Sequence, residues 1–324
     1  MEYMPRFTLH RPGTVEAAVA LAAAEAEARY LAGGTDMIVN VRRGIVNPRA
    51  LIELNAIDDL KRIRADGDGL AIGSAVTLAE LARAPALGAY PAVVEAARAV
   101  AGPTHQNYGT VGGNLCLDTR CIFYNQSEWW RASNAYCLKH RGEVCHVAPG
   151  GKRCFAAFSG DLAAALLVYD AEVEIAGPAG RRRQPLPELY RNDGMDHLTL
   201  APGELVTSVH LPPADAAGRA SYAKIRIRGS IDFPLAGAAV RLALDGGKLA
   251  DLRVALTAVA PLPFLVKGTE KLRGRALDQA ALDELKEMVR RQARPMRTTT
   301  IKPWYRRRAI GALAAKLART LAAA

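Results

Sequence analysis

The chain is predicted to be an α+β protein in two parts. An α/β N-terminal part of two subdomains spans residues 1–213, with a cysteine-rich insertion at 118–158. A C-terminal part, 214–324, combines a three-stranded antiparallel sheet with helices. Three observations predict this. Strands, glycine turns and helices alternate through the first two thirds. After Leu211-Pro-Pro213 the pattern changes to strand-like segments followed by two long helical ones. Four of the five cysteines fall within 121–154 and interrupt the alternation.

The elements follow in order. Thr14 can cap a helix running to about Ala28, with Val15, Val19 and Ala22 on one face. Residues 29–32 read as a strand, Gly33-Gly-Thr-Asp36 as a turn, 37–43 as a new element and 51–54 as a second strand. Residues 70–72 form a strand, Thr77 caps a helix over 78–83, and Pro91 opens a helix to Val100 that Gly102-Pro103 ends. Residues 161–167 read as an apolar helix and 171–175 alternate like a half-buried strand. Beyond the boundary, 220–228, 236–244 and 252–258 read as strands. Asp245-Gly-Gly247 fits a hairpin turn, and helices follow over 280–294 and 305–321.

At 324 residues, 50% hydrophobic and 23% charged, the composition is that of a globular protein of two or three domains. No apolar leader opens the chain, and no run approaches the roughly 18 apolar residues a membrane span needs. A cytoplasmic protein with no membrane association is expected. The net charge of +11 concentrates in Arg181-Arg-Arg183 and in 290–319. These runs lack interleaved aromatics and no nucleic-acid module is present, so nucleic acid is not the expected partner. Solvated surface or an acidic protein partner accounts for them. No carboxylate pair or catalytic triad stands out, so no substrate chemistry is expected in this chain.

Two glycine segments carry chemistry. Ala32-Gly33-Gly34-Thr35-Asp36 follows a strand, and Gly109-Thr110-Val-Gly112-Gly113-Asn114 repeats its ingredients: adjacent glycines and a hydroxyl. Glycine permits positive φ and lets backbone N–H groups approach an anion closely. Neither segment matches the Rossmann G-x-G-x-x-G or the P-loop. Two such segments can hold the two ends of one pyrophosphate.

Four thiols in one segment are a soft ligand set for zinc or an iron–sulfur cluster. The odd count and a reducing compartment argue against structural disulfides. The spacing C-x15-C-x7-C-x8-C is neither the ferredoxin run nor a zinc-ribbon pair of C-x2-C. Spacing alone therefore leaves the metal open. Phe123, Tyr124, Trp129, Trp130, Tyr136 and Phe155 can shield a centre or simply form the insertion's own small core. His140 and His146 are alternative ligands by chemistry, and Cys116 stands outside the set.

Ala-Gly-Gly-Thr-Asp-Met, Asn-x-Gly-Thr-Val-Gly-Gly-Asn, Asp161-Leu-Ala-Ala-Ala-Leu-Leu, Tyr222-x-Lys224 with Asp232-Phe-Pro, and Tyr305-Arg-Arg307 stand in this order. Over nearly the whole chain they resemble the FAD-binding subunits of molybdenum hydroxylases, among them those of carbon monoxide and xanthine dehydrogenases. The resemblance implies an FAD-binding N-terminal part in which Leu31, Ala32, Gly33, Gly34, Thr35, Asp36, Gly109, Thr110, Gly112, Gly113 and Asn114 hold the pyrophosphate and its neighbours. Asp161 would hydrogen-bond the flavin's sugar-alcohol chain. Leu205 and Lys224 would lie near the isoalloxazine ring. The structural alternatives are a helix N-cap for Asp161, which could serve both purposes, and a strand-edge surface charge for Lys224. Gln106 departs from the arginine many relatives carry, so no arginine role is transferred and Tyr108 is expected at the flavin.

In typical relatives the second glycine segment runs almost directly into the Asp-Leu-x-x-Ala-Leu helix. The cysteines fall in the extra residues. This insertion resembles that of the 4-hydroxybenzoyl-CoA reductase branch, whose flavoprotein subunit carries a 4Fe–4S cluster. It implies Cys121, Cys137, Cys145 and Cys154 as ligands. The function implied is an electron-transfer subunit with FAD and 4Fe–4S, fed by ferredoxin. It would serve a molybdopterin-containing large subunit through a 2Fe–2S small subunit, in a dimer of heterotrimers. Two alternatives stand beside it: the FAD subunit of another molybdenum hydroxylase, acting on an aldehyde, a heterocycle or CO, and a zinc-stabilised assembly protein.

Overall fold

A computed structural model describes residues 4–215 and 217–324 in three sheets. The first is parallel, with Thr8–His10 and Ala28–Leu31 flanking Ala50–Glu53. Ala50, Leu51 and Ile52 are fully buried in it. Helix Val15–Ala24 covers this sheet, and Thr14 Oγ1 accepts the Ala17 N–H at 3.2 Å as expected of an N-cap. The helix ends four residues earlier than its sequence predicts. Glu27 takes φ 62°, and the chain turns out so that Ala28 can pair with Ala50. Sheet pairing outweighs even the high helix propensity of the alanine run, because propensity is a weak preference that tertiary context overrides.

The second sheet is antiparallel and has five strands, ordered Ile63–Asp66, Gly69–Gly73, Leu205–Leu211, Glu172–Gly177 and Gly180–Pro185. Its central strand, Leu205–Leu211, is buried along its whole length, yet no element was expected there. Thr207, Ser208 and His210 disguise it. These polar side chains are satisfied internally: Thr207 donates to Glu174 at 2.7 Å, and Ser208, His210 and Asp66 form a chain with 2.8 Å links. The Ser208–His210–Asp66 order is that of a hydrolase triad, but Ser208 lines neither cavity described below. It is structural here.

The basic run lies on the outer strand of this sheet and is largely neutralised. Arg181 pairs with Glu16 at 2.8 Å and Glu174 at 3.0 Å, Arg182 with Glu204, and Arg183 with Glu172 at 2.6 Å and Asp66 at 3.1 Å. Sequence counts the arginines. Only strand pairing reveals the acids opposite them.

The C-terminal sheet holds four strands rather than the expected three: Gly218–Ile225, Ala236–Asp245, Lys248–Thr257 and a short edge, Phe264–Leu265. Pro261 and Pro263 hid the edge strand, because proline donates no ladder hydrogen bond and sits only at edges and ends. The hairpin forms where expected. Gly246 and Gly247 both have positive φ, 54° and 76°, as a type I′ turn requires. Helices Gln279–Gln292 and Pro303–Ala323 cover one face, where Val240, Leu242 and Val254 meet Leu285, Val289 and Ile310. The other face joins the N-terminal core through Ala239, Ala255 and helix Leu162–Leu167. Arg306 lies buried within the C-terminal part. Its guanidinium donates to the carbonyls of Leu235 (2.7 Å), Met296 (3.0 Å) and Ala258 and to Thr298 Oγ1 (3.1 Å), and burial pulls its pKa down to about 10.

Thr77 caps helix Leu78–Arg83 in a full capping box with Glu80 and also bridges to Thr110 beside the second glycine segment. Thr77→Ala should cost about 1 kcal/mol, read as a lower denaturation midpoint with unchanged slope.

Candidate functional site

The two glycine segments meet in space. A Cβ built on Gly33 would lie 1.6 Å from the Tyr108 carbonyl oxygen, so only glycine permits the contact. Beside them opens a cavity of about 990 Å³. Ala32, Gly33, Gly34, Thr35, Asp36, Gly109, Thr110, Gly112, Gly113, Asn114, Asp161, Leu205 and Lys224 all line it. Two expected residues do not. Leu31 ends its strand short of the cavity wall, and Tyr108 turns its ring outward at 61% exposure, giving only its backbone to the Gly33 contact.

The first segment has the features of an anion cradle. Gly34 takes φ 72°. Among the described residues, no acceptor meets the backbone N–H groups of Gly33, Gly34, Thr35 and Asp36. Successive unpaired N–H groups at a turn form a concave, partly positive surface. Ser74 adds a donor that sequence reading missed: its Oγ is buried, without a partner among the described residues, and Ser74 lines the same cavity. A phosphate oxygen would satisfy all of these groups, so the residues present fit a dinucleotide.

The second segment differs from the first despite its similar composition. It winds into helix Val111–Leu115, with Thr110 Oγ1 accepting the Gly113 N–H at 3.1 Å. The N–H groups of Val111 and Gly112 donate to Val76 and Ser74 carbonyls. Its glycines therefore supply close packing: a Cβ on Gly112 would lie 2.7 Å from Ser74 Cβ. Asn114 Oδ1 accepts the Leu162 N–H at 2.9 Å and so caps helix Leu162–Leu167, the alternative role given for Asp161.

Asp161 makes no cap bond. Its carboxylate accepts from Tyr222 Oη at 2.6 Å and pairs with Lys224 Nζ at 3.1 Å. Lys224 is no surface charge: the two side chains are 3% and 4% exposed. Burial pushes the Asp161 pKa up, while Lys224 and Tyr222 hold it down. Asp36 is also engaged. It accepts from Asn40 Nδ2 at 2.8 Å and pairs with Arg120 at 3.3 Å, which ties the first glycine segment to the start of the cysteine insertion.

The four cysteines converge. Cys121, Cys137, Cys145 and Cys154 are buried, free of disulfides, and line one small void. Cys116 lies apart, on the wall of the large cavity, where burial pushes its thiol up to about 12. The Tyr124 N–H points at Cys121 Sγ and the Ala156 N–H at Cys154 Sγ, both at 3.4 Å. Such N–H···S bonds stabilise thiolates and tune iron–sulfur potentials. A hydrogen bond with Cys154 draws Cys145 down to about 5 and pushes Cys154 up. Burial raises Cys121. His146 lines the void, but its Nε2 is taken by the Tyr136 carbonyl, while His140 faces the large cavity. Tyr124 and Phe123 pack on the thiols, whereas Trp129 is 76% exposed and belongs to no core. Among the described residues no three His, Cys, Asp or Glu groups gather as a single ion would need.

No helix among the described residues is long and apolar enough to cross a membrane. A family model for the FAD binding domain in molybdopterin dehydrogenase matches residues 5–214, and one for the CO dehydrogenase flavoprotein C-terminal domain matches 220–321. The aldehyde oxidoreductase FAD-binding subunit of Escherichia coli (strain K12) is 32% identical over 278 residues, 82% of this chain and 86% of that one. The carbon monoxide dehydrogenase medium chain of Afipia carboxidovorans is 31% identical over 281 residues, 86% of this chain and 83% of its own. A solved structure of reconstituted CO dehydrogenase from Oligotropha carboxidovorans superposes with a TM-score of 0.81 at 27% identity, covering 99% of both chains. Two matched domains in the expected order, on a fold that brings the glycine segments to one cavity, lead to one conclusion: the chain belongs to the FAD-binding subunits of the molybdenum hydroxylases, alongside the xanthine dehydrogenase FAD-binding subunits and the CO dehydrogenase medium chains.

Proposed function

We propose that this chain is the FAD- and 4Fe–4S-carrying electron-transfer subunit of a molybdenum enzyme that removes the phenolic hydroxyl of 4-hydroxybenzoyl-CoA to give benzoyl-CoA. The observation that carries this reading is the set of four buried thiols around one void, which shares Lys139 in its lining with the large cavity. Loss of the hydroxyl as water takes two electrons and two protons, and that chemistry belongs to molybdenum in another subunit. When bound, FAD supplies an exchange between one- and two-electron carriers, and the cluster supplies a one-electron site.

The residues divide the work. Gly33 to Asp36 and Ser74 would hold the pyrophosphate with their free donors. Lys224, held by Asp161 against the cavity, would place positive charge near the ring system, with Leu205 as an apolar wall. Cys121, Cys137, Cys145 and Cys154 would hold the cluster, with Phe123, Tyr124 and Val147 excluding water. The partners proposed are a molybdopterin-containing large subunit, a 2Fe–2S small subunit and ferredoxin as donor, in a cytoplasmic dimer of heterotrimers. Arg181 to Arg183 are paired, and in the C-terminal region Arg290 and Arg291 share Glu287 and Arg306 is buried, so ferredoxin docking is proposed on the remaining C-terminal charges and would weaken as ionic strength rises.

The relatives' names support a second reading, an FAD subunit of an oxidising hydroxylase for an aldehyde or CO. Iron, sulfide, zinc and flavin analysis of the anaerobically isolated chain, with EPR after reduction, decides between them. About four irons, four sulfides and one FAD are expected. Cys137→Ser should lose the EPR signal and most of the iron while retaining FAD. FAD without iron would favour the second reading, and zinc without iron would reduce the insertion to a structural clip.

A further inference from the structure

Lys139 is the one residue, among those described, that lines both the large cavity and the void of the four thiols. Its side chain is only 6% exposed. The ammonium donates to Asp118 Oδ1 at 2.6 Å, to the Thr119 carbonyl at 2.8 Å and to Thr119 Oγ1 at 2.5 Å. It also sits 4.9 Å from the centroid of the Tyr124 ring. All three of its donor hydrogens are thus committed. Arg120 lies 5.7 Å from the same ring, and Asp118 is shared weakly with Arg120 at 3.9 Å. Lys139 also acts electrostatically on Cys154 and on His197. The charges around the thiol void on this side are therefore Lys139 and Arg120 against Asp118, with Asp36 taken up by Arg120.

A lysine is a costly choice for a wall between two cavities. Burying an ammonium is unfavourable unless it is paired and fully hydrogen-bonded, and packing alone would be served by leucine or methionine. A held positive charge stabilises whichever form of a neighbouring centre carries the added electron. It therefore raises that centre's reduction potential, while a nearby carboxylate lowers it.

We propose that Lys139 is a positioning residue whose charge, set against Asp118, tunes how readily the cysteine-held centre accepts an electron and so poises it relative to the flavin cavity next to it. This rests on the reading that the four thiols hold an iron–sulfur cluster.

The test is a redox titration of the full chain, or of the complex in which it is purified, following the cluster by EPR and the flavin by absorbance. Iron, sulfide and FAD are measured on every variant. Lys139→Met should lower the cluster potential by the equivalent of at least about a tenfold change in its reduction equilibrium, about 59 mV for one electron. Asp118→Asn should move it the opposite way, and Lys139→Arg should restore most of the wild-type value. Asp118 is 29% exposed, so its variant keeps the test readable if Lys139→Met loses iron. Potentials that stay put in iron-replete Lys139→Met and Asp118→Asn would overturn the inference and leave the cluster reading intact. Shifts of the same sign in both would also overturn it, since they report loosened packing. A wild-type chain without iron overturns both readings, and the iron analysis identifies that case.

Discussion

Gly33→Ala is expected to abolish FAD binding and to destabilise the fold. The added methyl would need to sit 1.6 Å from the Tyr108 carbonyl oxygen, and the offending atom is backbone, which no rotamer change can move. The strand-to-turn segment and the end of helix Pro103–Tyr108 must then separate, and the N–H groups of residues 33–36 move with them. Overpacking a close contact costs about 1–3 kcal/mol, and the upper end applies because the obstacle is rigid. Gly113→Ala is the internal control. Its methyl would meet only Thr110 Oγ1, at 3.1 Å, so it should keep most of its flavin. The flavin-to-protein absorbance ratio and the thermal midpoint of both variants check this. A Gly33→Ala protein with a full flavin complement would show that the two segments do not meet in this way.

Breaking the Asp161–Lys224 pair should cost even more stability. Removing one partner of a buried ion pair strands the other charge, at about 3–5 kcal/mol. Asp161→Ala leaves the Lys224 ammonium, 3% exposed, without its carboxylate partner and frees the Tyr222 hydroxyl as well. The upward push on Asp161 has a further consequence. A carboxyl whose folded pKa lies above its unfolded value is ionised at a cost to the fold, so the intact pair is not itself a net source of stability above that unfolded value. The double variant Asp161→Leu/Lys224→Met should therefore recover most of the stability lost by either single change. It should not recover the flavin, because the cavity loses the Lys224 charge proposed to lie near the ring system. Urea unfolding of the four proteins gives the coupling directly. Additive losses in the double variant would sink the argument, and flavin retained at wild-type level would remove Lys224 from the cofactor site.

Much of this was legible in the chain itself, for identifiable reasons. Helix caps at Thr14 and Thr77 and the Gly246-Gly247 turn are local devices, and local devices can be read locally. The clustering of four cysteines needed only counting. What escaped the reading depended on distant partners. Strand Leu205–Leu211 looked too polar because Thr207 and His210 find Glu174 and Asp66 from other strands. The arginines at 181–183 looked like free surface because Glu16, Glu172 and Glu204 lie elsewhere in sequence. Ser74 carries no motif, and only its lack of a partner inside a cavity marks it.

The sequence by itself therefore determined the two-part α+β architecture, the glycine turns and the thiol set, since backbone freedom and ligand chemistry are properties of residue type. Tertiary structure alone decided how they are used. It left the donors of the first glycine segment free and spent those of the second, capped helix Leu162–Leu167 with Asn114, and buried Lys224 against Asp161. It also placed Lys139 between two cavities. Each of these outcomes depends on which groups meet across long sequence separations, and hydrogen-bond satisfaction inside a packed core is settled by those meetings.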